Sequence, residues 1–369
     1  MKNLKVLGLM SGTSADGLSL AYCAVNIRKR LVKVFAYHSF EYPPDLKREI
    51  ESARDLKLEK ISALNFKLGK IWASYCVKFL KKFSLPNPDI VSSHGQTVYH
   101  SSKQKHTLQI GEISFITEKL KIPGVCDFRP QDMAAGGEGA PLVPFFDEFL
   151  FGEKEPAALL NIGGVANISV TGKNIKTFGF DVGPGNSLMD WAVSVYSCGK
   201  KTYDKNGEWA LKGKPDLDKI KKMLSAPFFS KKPPKSLDRE EFGLKFLKSN
   251  FNLSKEKKED VLATLNLFSA FCVKKSFSFF NVLPEKVIVS GGGALNNATM
   301  KNLSSLLPFA RVISIKDFGI HPLAKEPAAF ALIGALAWLN IPNCPFSSTG
   351  ASGPRILGKI SYPFGRPKL

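Results

Sequence analysis

Apolar and polar positions change period several times along this chain. Residues 6–10 (VLGLM), 18–25 (LSLAYCAV) and 32–40 (VKVFAYHSF) are short apolar runs parted by turn residues, and they predict three consecutive strands. Residues 58–83 change to a helical period, with Ile61, Leu64, Leu68, Ile71, Tyr75 and Phe79 on one stripe. DIVSSHG (89–95) predicts a strand ending in small and polar residues. GEISFITEKL (111–120) predicts a short helix, and IPGVCDFRP (122–130) a strand running into a loop.

The pattern begins again near Ala157. AALLNIGGVANISVTG (157–172) reads strand, Gly-Gly turn, strand, and IKTFGFDVGPGN (175–186) is a third strand with a polar end. SLMDWAVSVYS (187–197) is helical, and a lysine-rich, proline-containing region follows up to about residue 260. VLATLNLFSAFCVKKSFSFF (261–280) predicts a long helix, KVIVSGGGALNN (286–297) a strand and glycine loop, and EPAAFALIGALAWL (326–339) a late apolar helix. Residues 6–25 and 157–170 share one plan, and a third strand follows each. Two similarly built α/β domains are expected, 1–155 and 156–369. Such folds place a ligand in the crevice between domains, near the C-terminal ends of strands.

Composition narrows the partners. At 369 residues, 44% hydrophobic and 23% charged, the chain is ordinary globular protein with room for two cores. No apolar run reaches the ~18 residues of a membrane span. The apolar N-terminal run stops at Ser11 without a cleavage pattern, so no signal peptide and a cytoplasmic setting are expected. The net charge is +20, yet the lysines are scattered and no nucleic-acid-binding pattern accompanies them. A solvated basic surface that attracts anionic substrates is expected, with no nucleic-acid partner. The six cysteines form no CxxC pair and histidine is scarce, so neither a zinc site nor a disulfide framework is expected; they read as buried thiols.

Each chemical motif has two readings when taken alone. GTSADG (12–17) could be an ordinary tight turn, or a loop offering N–H groups, two hydroxyls and Asp16 to a phosphate and Mg²⁺. NIGGVAN (161–167) is equally open, whereas the three glycines of SGGGALNN (290–297) are costly unless something must approach the backbone closely. Three such turns spread over both halves favour a nucleotide. Asp181, in FDVGPGN, either ties down the turn or acts as a general base, and Asn186 is placed to cap the next helix. His94 falls in a loop after a strand and is either structural or a ligand contact. Arg129, in a long Gly/Pro-rich loop, could fork to a carboxylate or anchor the loop. Glu326 is either a first-turn dipole partner or a substrate contact.

GLMSGTSADG, SSHGQTVYH, DFRPQDMAAGGEGAPLVP, LNIGGVANIS, FDVGPGNSLMD, SGGGALNN and the closing TGA…LG occur in the order found in anhydro-N-acetylmuramic acid kinases. The chain resembles that family over essentially its whole length. The resemblance implies two RNase H-like (actin/hexokinase-like) α/β domains with an ATP cleft between them. It implies ATP and Mg²⁺ as cofactors and a small amino-sugar substrate, and leaves a homodimer open. The implied reaction opens 1,6-anhydro-N-acetylmuramic acid with water and phosphorylates O6, in cell-wall recycling. By position, Gly12, Thr13, Ser14, Ala15, Asp16, Gly17, Leu18 and Ser19 match the family's ATP phosphate loop, with Asp16 as the metal ligand. Gly163, Gly164, Asn167, Gly291, Gly292 and Gly293 join the ATP site, and Asp181 matches the catalytic aspartate. His94, Arg129 and Glu326 are the candidates for holding the sugar and its lactyl carboxylate. The family usually has Asp where this chain has Ser19, and Ala where it has Pro327. Two other readings stay open: a kinase for an ordinary sugar or small carboxylate, and a non-catalytic nucleotide sensor.

Overall fold

A computed structural model describes residues 3–233, 235, 237 and 241–363, and only the backbone of Lys176. The chain divides into two compact units, residues 1–150 with 319–369, and residues 151–318. The first runs β1 (Leu4–Ser11), β2 (Gly17–Asn26), β3 (Leu31–Glu41), α1 (Pro44–Glu51), α2 (Leu58–Lys82), β4 (Ile90–Ser101), β5 (His106–Ile110), α3 (Ser114–Leu120), β6 (Gly124–Cys126), α4 (Phe128–Ala134) and α5 (Pro144–Phe151). The second holds β7 (Ala157–Ile162), β8 (Val165–Gly172), β9 (Ile175–Pro184), α6 (Ser187–Tyr196), α7 (Leu217–Leu224), α8 (Leu244–Asn250), α9 (Lys258–Ser276), β10 (Lys286–Ser290), α10 (Asn297–Leu306) and β11 (Arg311–Ser314). The chain then returns to the first with α11 (Lys325–Trp338), α12 (Phe346–Thr349) and β12 (Lys359–Ser361). The expected boundary near 155 therefore misplaces the C-terminal segment: residues 319–369 belong with 1–150.

The repeated pattern is a repeated sheet. In the first unit β6-β4-β1-β2-β3 lie side by side, with β12 beyond β6 and β5 on β4. In the second the order is β11-β10-β7-β8-β9. In both, three antiparallel strands are followed by two that add in parallel beside the first. Two similarly built α/β domains are thus present, as the sequence pattern predicts, and their shared strand order is the RNase H-like one that the resemblance implies. The first sheet buries Leu7, Leu9, Leu18 and Leu20 against Leu64, Leu68, Trp72 and Phe79 of α2, the helix read from its apolar stripe.

Helix α11 explains why the first unit needs its C-terminal piece. Twelve of its fourteen residues are buried, as expected of a helix that is apolar all round. It packs against β1, β2 and β4 of the first sheet. A Cβ on Gly8 of β1 would lie 2.0 Å from the Pro327 carbonyl of α11, so only glycine admits this approach.

Several local expectations change. Strand β4 continues through Ser101, so His94 lies within a strand and is buried. Phe128–Ala134 is helical, so Arg129 sits on α4 and not in a loop. Asn186 precedes α6 without a side-chain capping bond; its amide donates to the Ile162 carbonyl. Four cysteines are buried, but Cys126 is half-buried and Cys198 exposed. Among the described residues no helix is long and apolar enough to cross a membrane.

Candidate active site

In the first unit, β1 and β2 are joined by the five residues 12–16. The Ala15 N–H donates to the Gly12 carbonyl at 3.0 Å, and Ala15 is left-handed at φ 50°. Thr13 and Ser14 are exposed at the tip, and Asp16 pairs with Lys47 of α1. A buried polar chain fixes the loop's base. Trp72 Nε1 donates to Tyr42 Oη at 2.9 Å, and Ser11 Oγ lies 2.8 Å from that hydroxyl. Ser11 also donates to Gln96 Oε1 at 2.5 Å, and Gln96 Nε2 donates to the Gly12 carbonyl at 3.2 Å. The stretch read as a phosphate loop therefore has two parts. Residues 12–16 form the loop, while Gly17, Leu18 and Ser19 belong to β2, with Leu18 in the core. Ser19 Oγ faces Ser39 Oγ at 3.3 Å and Tyr37 Oη at 3.4 Å.

His94 and Arg129 come together. Arg129 Nε donates to His94 Nε2 at 3.0 Å, and His94 Nδ1 bonds the Gly95 carbonyl at 2.9 Å. The bond to a carbonyl assigns the proton to Nδ1, leaving the Nε2 lone pair to Arg129. Burial, then the adjacent guanidinium, push the imidazole down to about 3, so it is neutral at physiological pH. Both ring nitrogens are used internally, one of them as the acceptor for Arg129 Nε. Burial lowers the Arg129 guanidinium to about 10, which still leaves it charged at neutral pH. Its Nη1 donates to the Gly139 carbonyl at 2.7 Å. That loop is held by Asp132, fully buried, which accepts from Gly139 N–H at 2.7 Å, Thr349 Oγ1 at 2.6 Å and Cys344 Sγ at 3.0 Å. Asp132 and Gln96 were missed by sequence reasoning. Only their long-range partners reveal them.

Glu326 lies in the first turn of α11 and is exposed. Desolvation nonetheless pushes its carboxyl up, opposed by the charge of Lys325. His94 and Phe128 both lie against Phe330 one turn further along that helix, with ring centroids 4.5 and 5.7 Å away.

In the second unit, three glycine segments far apart in sequence meet at the end of β7. Gly163 and Gly164 form the turn to β8, and Asn186 N–H and Gly185 N–H donate to the Gly163 and Gly164 carbonyls at 2.8 and 2.9 Å. Gly291 follows β10 at φ 77°, where a Cβ would lie 2.5 Å from the Ile162 carbonyl. A Cβ on Gly293 would lie 2.5 Å from that of Ile162. These close approaches show that Gly291 and Gly293 are required by the packing of the segment after β10 against Ile162.

The sheet register adds what motif spacing could not. Ser290 pairs with Asn161, Asn161 with Asn167, and Asn167 with Asp181. Directly paired residues share a face, so a polar row crosses four strands and ends on Asp181. Asn167, read as an ATP contact, is thereby the neighbour of the candidate base. Asp181 Oδ2 accepts from Leu237 N–H at 2.9 Å, and burial outweighs that bond, raising the carboxyl above its ordinary range. Asp190, in the first turn of α6, has its carboxyl pushed up to about 7 by burial alone. Its environment, not its spacing, marks it out.

Among the described residues no three His, Cys, Asp or Glu side chains cluster as a metal site. Asp16, the one carboxylate of the 12–16 loop, is exposed and paired with Lys47, so a metal held there would draw most of its oxygens from nucleotide and water.

The model of the anhydro-N-acetylmuramic acid kinase family matches residues 4–363. The anhydro-N-acetylmuramic acid kinase of Pseudomonas syringae pv. tomato is 39% identical over 366 residues, covering 97% of this chain and 98% of that one. That of Caldanaerobacter subterraneus subsp. tengcongensis is 38% identical over 386 residues, covering 96% of each. Among solved structures, the activator of the 2-hydroxyisocaproyl-CoA dehydratase from Clostridium difficile is 12% identical at a TM-score of 0.46, covering 90% of this chain and 94% of that one. The family match over residues 4–363, with relatives 39% and 38% identical across nearly the whole chain, makes this chain a member of the anhydro-N-acetylmuramic acid kinase family.

Proposed function

We propose that this kinase uses ATP and water to convert 1,6-anhydro-N-acetylmuramic acid into N-acetylmuramic acid 6-phosphate and ADP, as a step of cell-wall recycling. Asp181 takes a proton from water as the water oxygen bonds to C1, and the C1–O6 bond breaks. The electron pair stays on O6, which attacks the γ-phosphorus, and ADP leaves. The proton then passes from Asp181 to solvent. The observation that carries this reading is Asp181 itself. It is a desolvated carboxylate with raised basicity, one oxygen fixed by a backbone N–H and Asn167 beside it in register.

The remaining groups have distinct tasks. Residues 12–16 and the glycine turns at 163–164 and 291–293 hold the phosphates. Asp16 would hold Mg²⁺, which when bound neutralises phosphate charge. Arg129, oriented by His94, uses the rest of its fork on the lactyl carboxylate. Glu326 accepts hydrogen bonds from the sugar.

The test is a reaction in ¹⁸O-labelled water, quenched before anomeric exchange. The product should carry label on C1 and none in the phosphate ester. Label in the ester, or ring opening without ATP at the coupled rate, would refute the mechanism. Preference for free N-acetylmuramic acid would make the protein an ordinary sugar kinase. ATP binding without sugar-dependent ADP would leave the nucleotide sensor.

A further inference from the structure

The first unit contains a buried ion pair that the proposed reaction does not use. Lys325 Nζ bonds Asp147 Oδ2 at 2.8 Å, with side chains only 7% and 5% exposed. Asp147 Oδ1 is buried with no hydrogen-bond partner among the described residues. Such a pair is an expensive way to fill a core, because the desolvation of two charges is seldom recovered against an apolar pair of the same shape. An orphaned carboxylate oxygen adds to that cost. The pair's place in the chain supplies a reason. Asp147 lies on α5, the last element before the chain leaves the first unit; Lys325 opens α11 soon after it returns. Arg30 grips the same end of α5, donating through Nε to the Phe149 carbonyl at 2.7 Å and through Nη2 to that of Glu148 at 2.9 Å. The residue following Lys325 is Glu326.

We infer that the Lys325–Asp147 pair is a positioning device that fixes the start of α11, and thereby the placement of the Glu326 carboxylate against the sugar. This rests on the reading of Glu326 as a sugar contact. A hydrophobic pair could pack the two ends of the first unit together, but would supply no directional bond at the start of α11. The ion pair supplies that directional bond at the first residue of α11. Pro327, next in line, sets its carbonyl against Gly8 of β1, so the first turn of α11 has little room to give.

The experiment is a double-mutant cycle of Lys325→Gln and Glu326→Gln, with KM measured separately for the anhydro-sugar and for ATP. Lys325→Gln should raise the sugar KM roughly tenfold, the loss typical of removing a group that orients a ligand-contacting residue, and leave the ATP KM within about twofold. In the Glu326→Gln background it should add little, and Lys325→Arg should restore most of the sugar affinity. Additive effects of the two substitutions, or an equal rise in both KM values, would overturn the positioning role. A silent Glu326→Gln would instead remove Glu326 from the sugar site, a separate failure. Should Lys325→Gln fail to fold, Lys325→Met, which keeps the apolar stem and removes the donor to Asp147, should show the same sugar-selective rise; an unchanged sugar KM in that variant would overturn the proposal.

Discussion

At the scale of single residues, environment separates the candidate groups more sharply than type. Asp181 and His94 could both be acid–base groups by their chemistry. Burial raises the carboxyl of Asp181, which helps a base, whereas burial and Arg129 drive His94 down to about 3, which removes it from proton chemistry near neutrality. Asp181→Asn should lower turnover by ~10²–10⁴-fold while ATP affinity, measured by calorimetry, stays nearly intact. The kcat/KM profile should fall as pH drops through the raised Asp181 value, because the base must be unprotonated, with a midpoint above the usual ~3.9 of aspartate. His94→Gln should leave the position of that limb in place, and an acid limb that disappears in this variant would return His94 to the chemistry.

At the scale of elements, the glycine turns are fixed by what their neighbours leave room for. Gly291→Ala meets both left-handed backbone at φ 77° and a carbonyl 2.5 Å from the new methyl. It should cost ~1–3 kcal/mol of stability and weaken ATP binding. Gly136→Ala is the contrast: φ is 86°, but nothing lies within 4 Å of the added carbon. It should cost only ~1–2 kcal/mol, the backbone penalty alone. Urea titration of both variants checks the ranking, and equal losses would mean that crowding at Ile162 relaxes freely. The elements themselves were largely readable. Strand β1, helix α2 and helix α11 follow their apolar periods. Helix α4 was not readable, because prolines and glycines after Asp127 signal a loop while burial of Phe128 and Met133 holds a short helix.

At the scale of the molecule, one unit is continuous and the other interrupted. Residues 151–318 carry their own sheet and buried clusters, so that fragment should fold alone and melt cooperatively by circular dichroism. Residues 1–150 lack α11, whose buried face covers β1, β2 and β4. That fragment should expose apolar surface and show no cooperative transition, and adding a 319–369 peptide should restore one. A cooperative melt of 1–150 alone would show that α2 and the sheet make a sufficient core.

The sequence alone determined the strands, the helices with sustained periods, the doubling of one α/β plan and, through ordered motifs, the family. Those properties are local or repeated, and the side-chain period of a strand or helix records them directly. The tertiary structure decided which distant residues share a face. Sheet register placed Asn167 beside Asp181, and packing brought the His94 ring within hydrogen-bond reach of Arg129. The same packing returned residues 319–369 to the first unit and joined Lys325 to Asp147. None of this has a local signature. It depends on desolvation and on contacts between residues as many as 238 positions apart, as between the Ser92 hydroxyl and the Phe330 carbonyl, and these exist only once the chain has closed on itself.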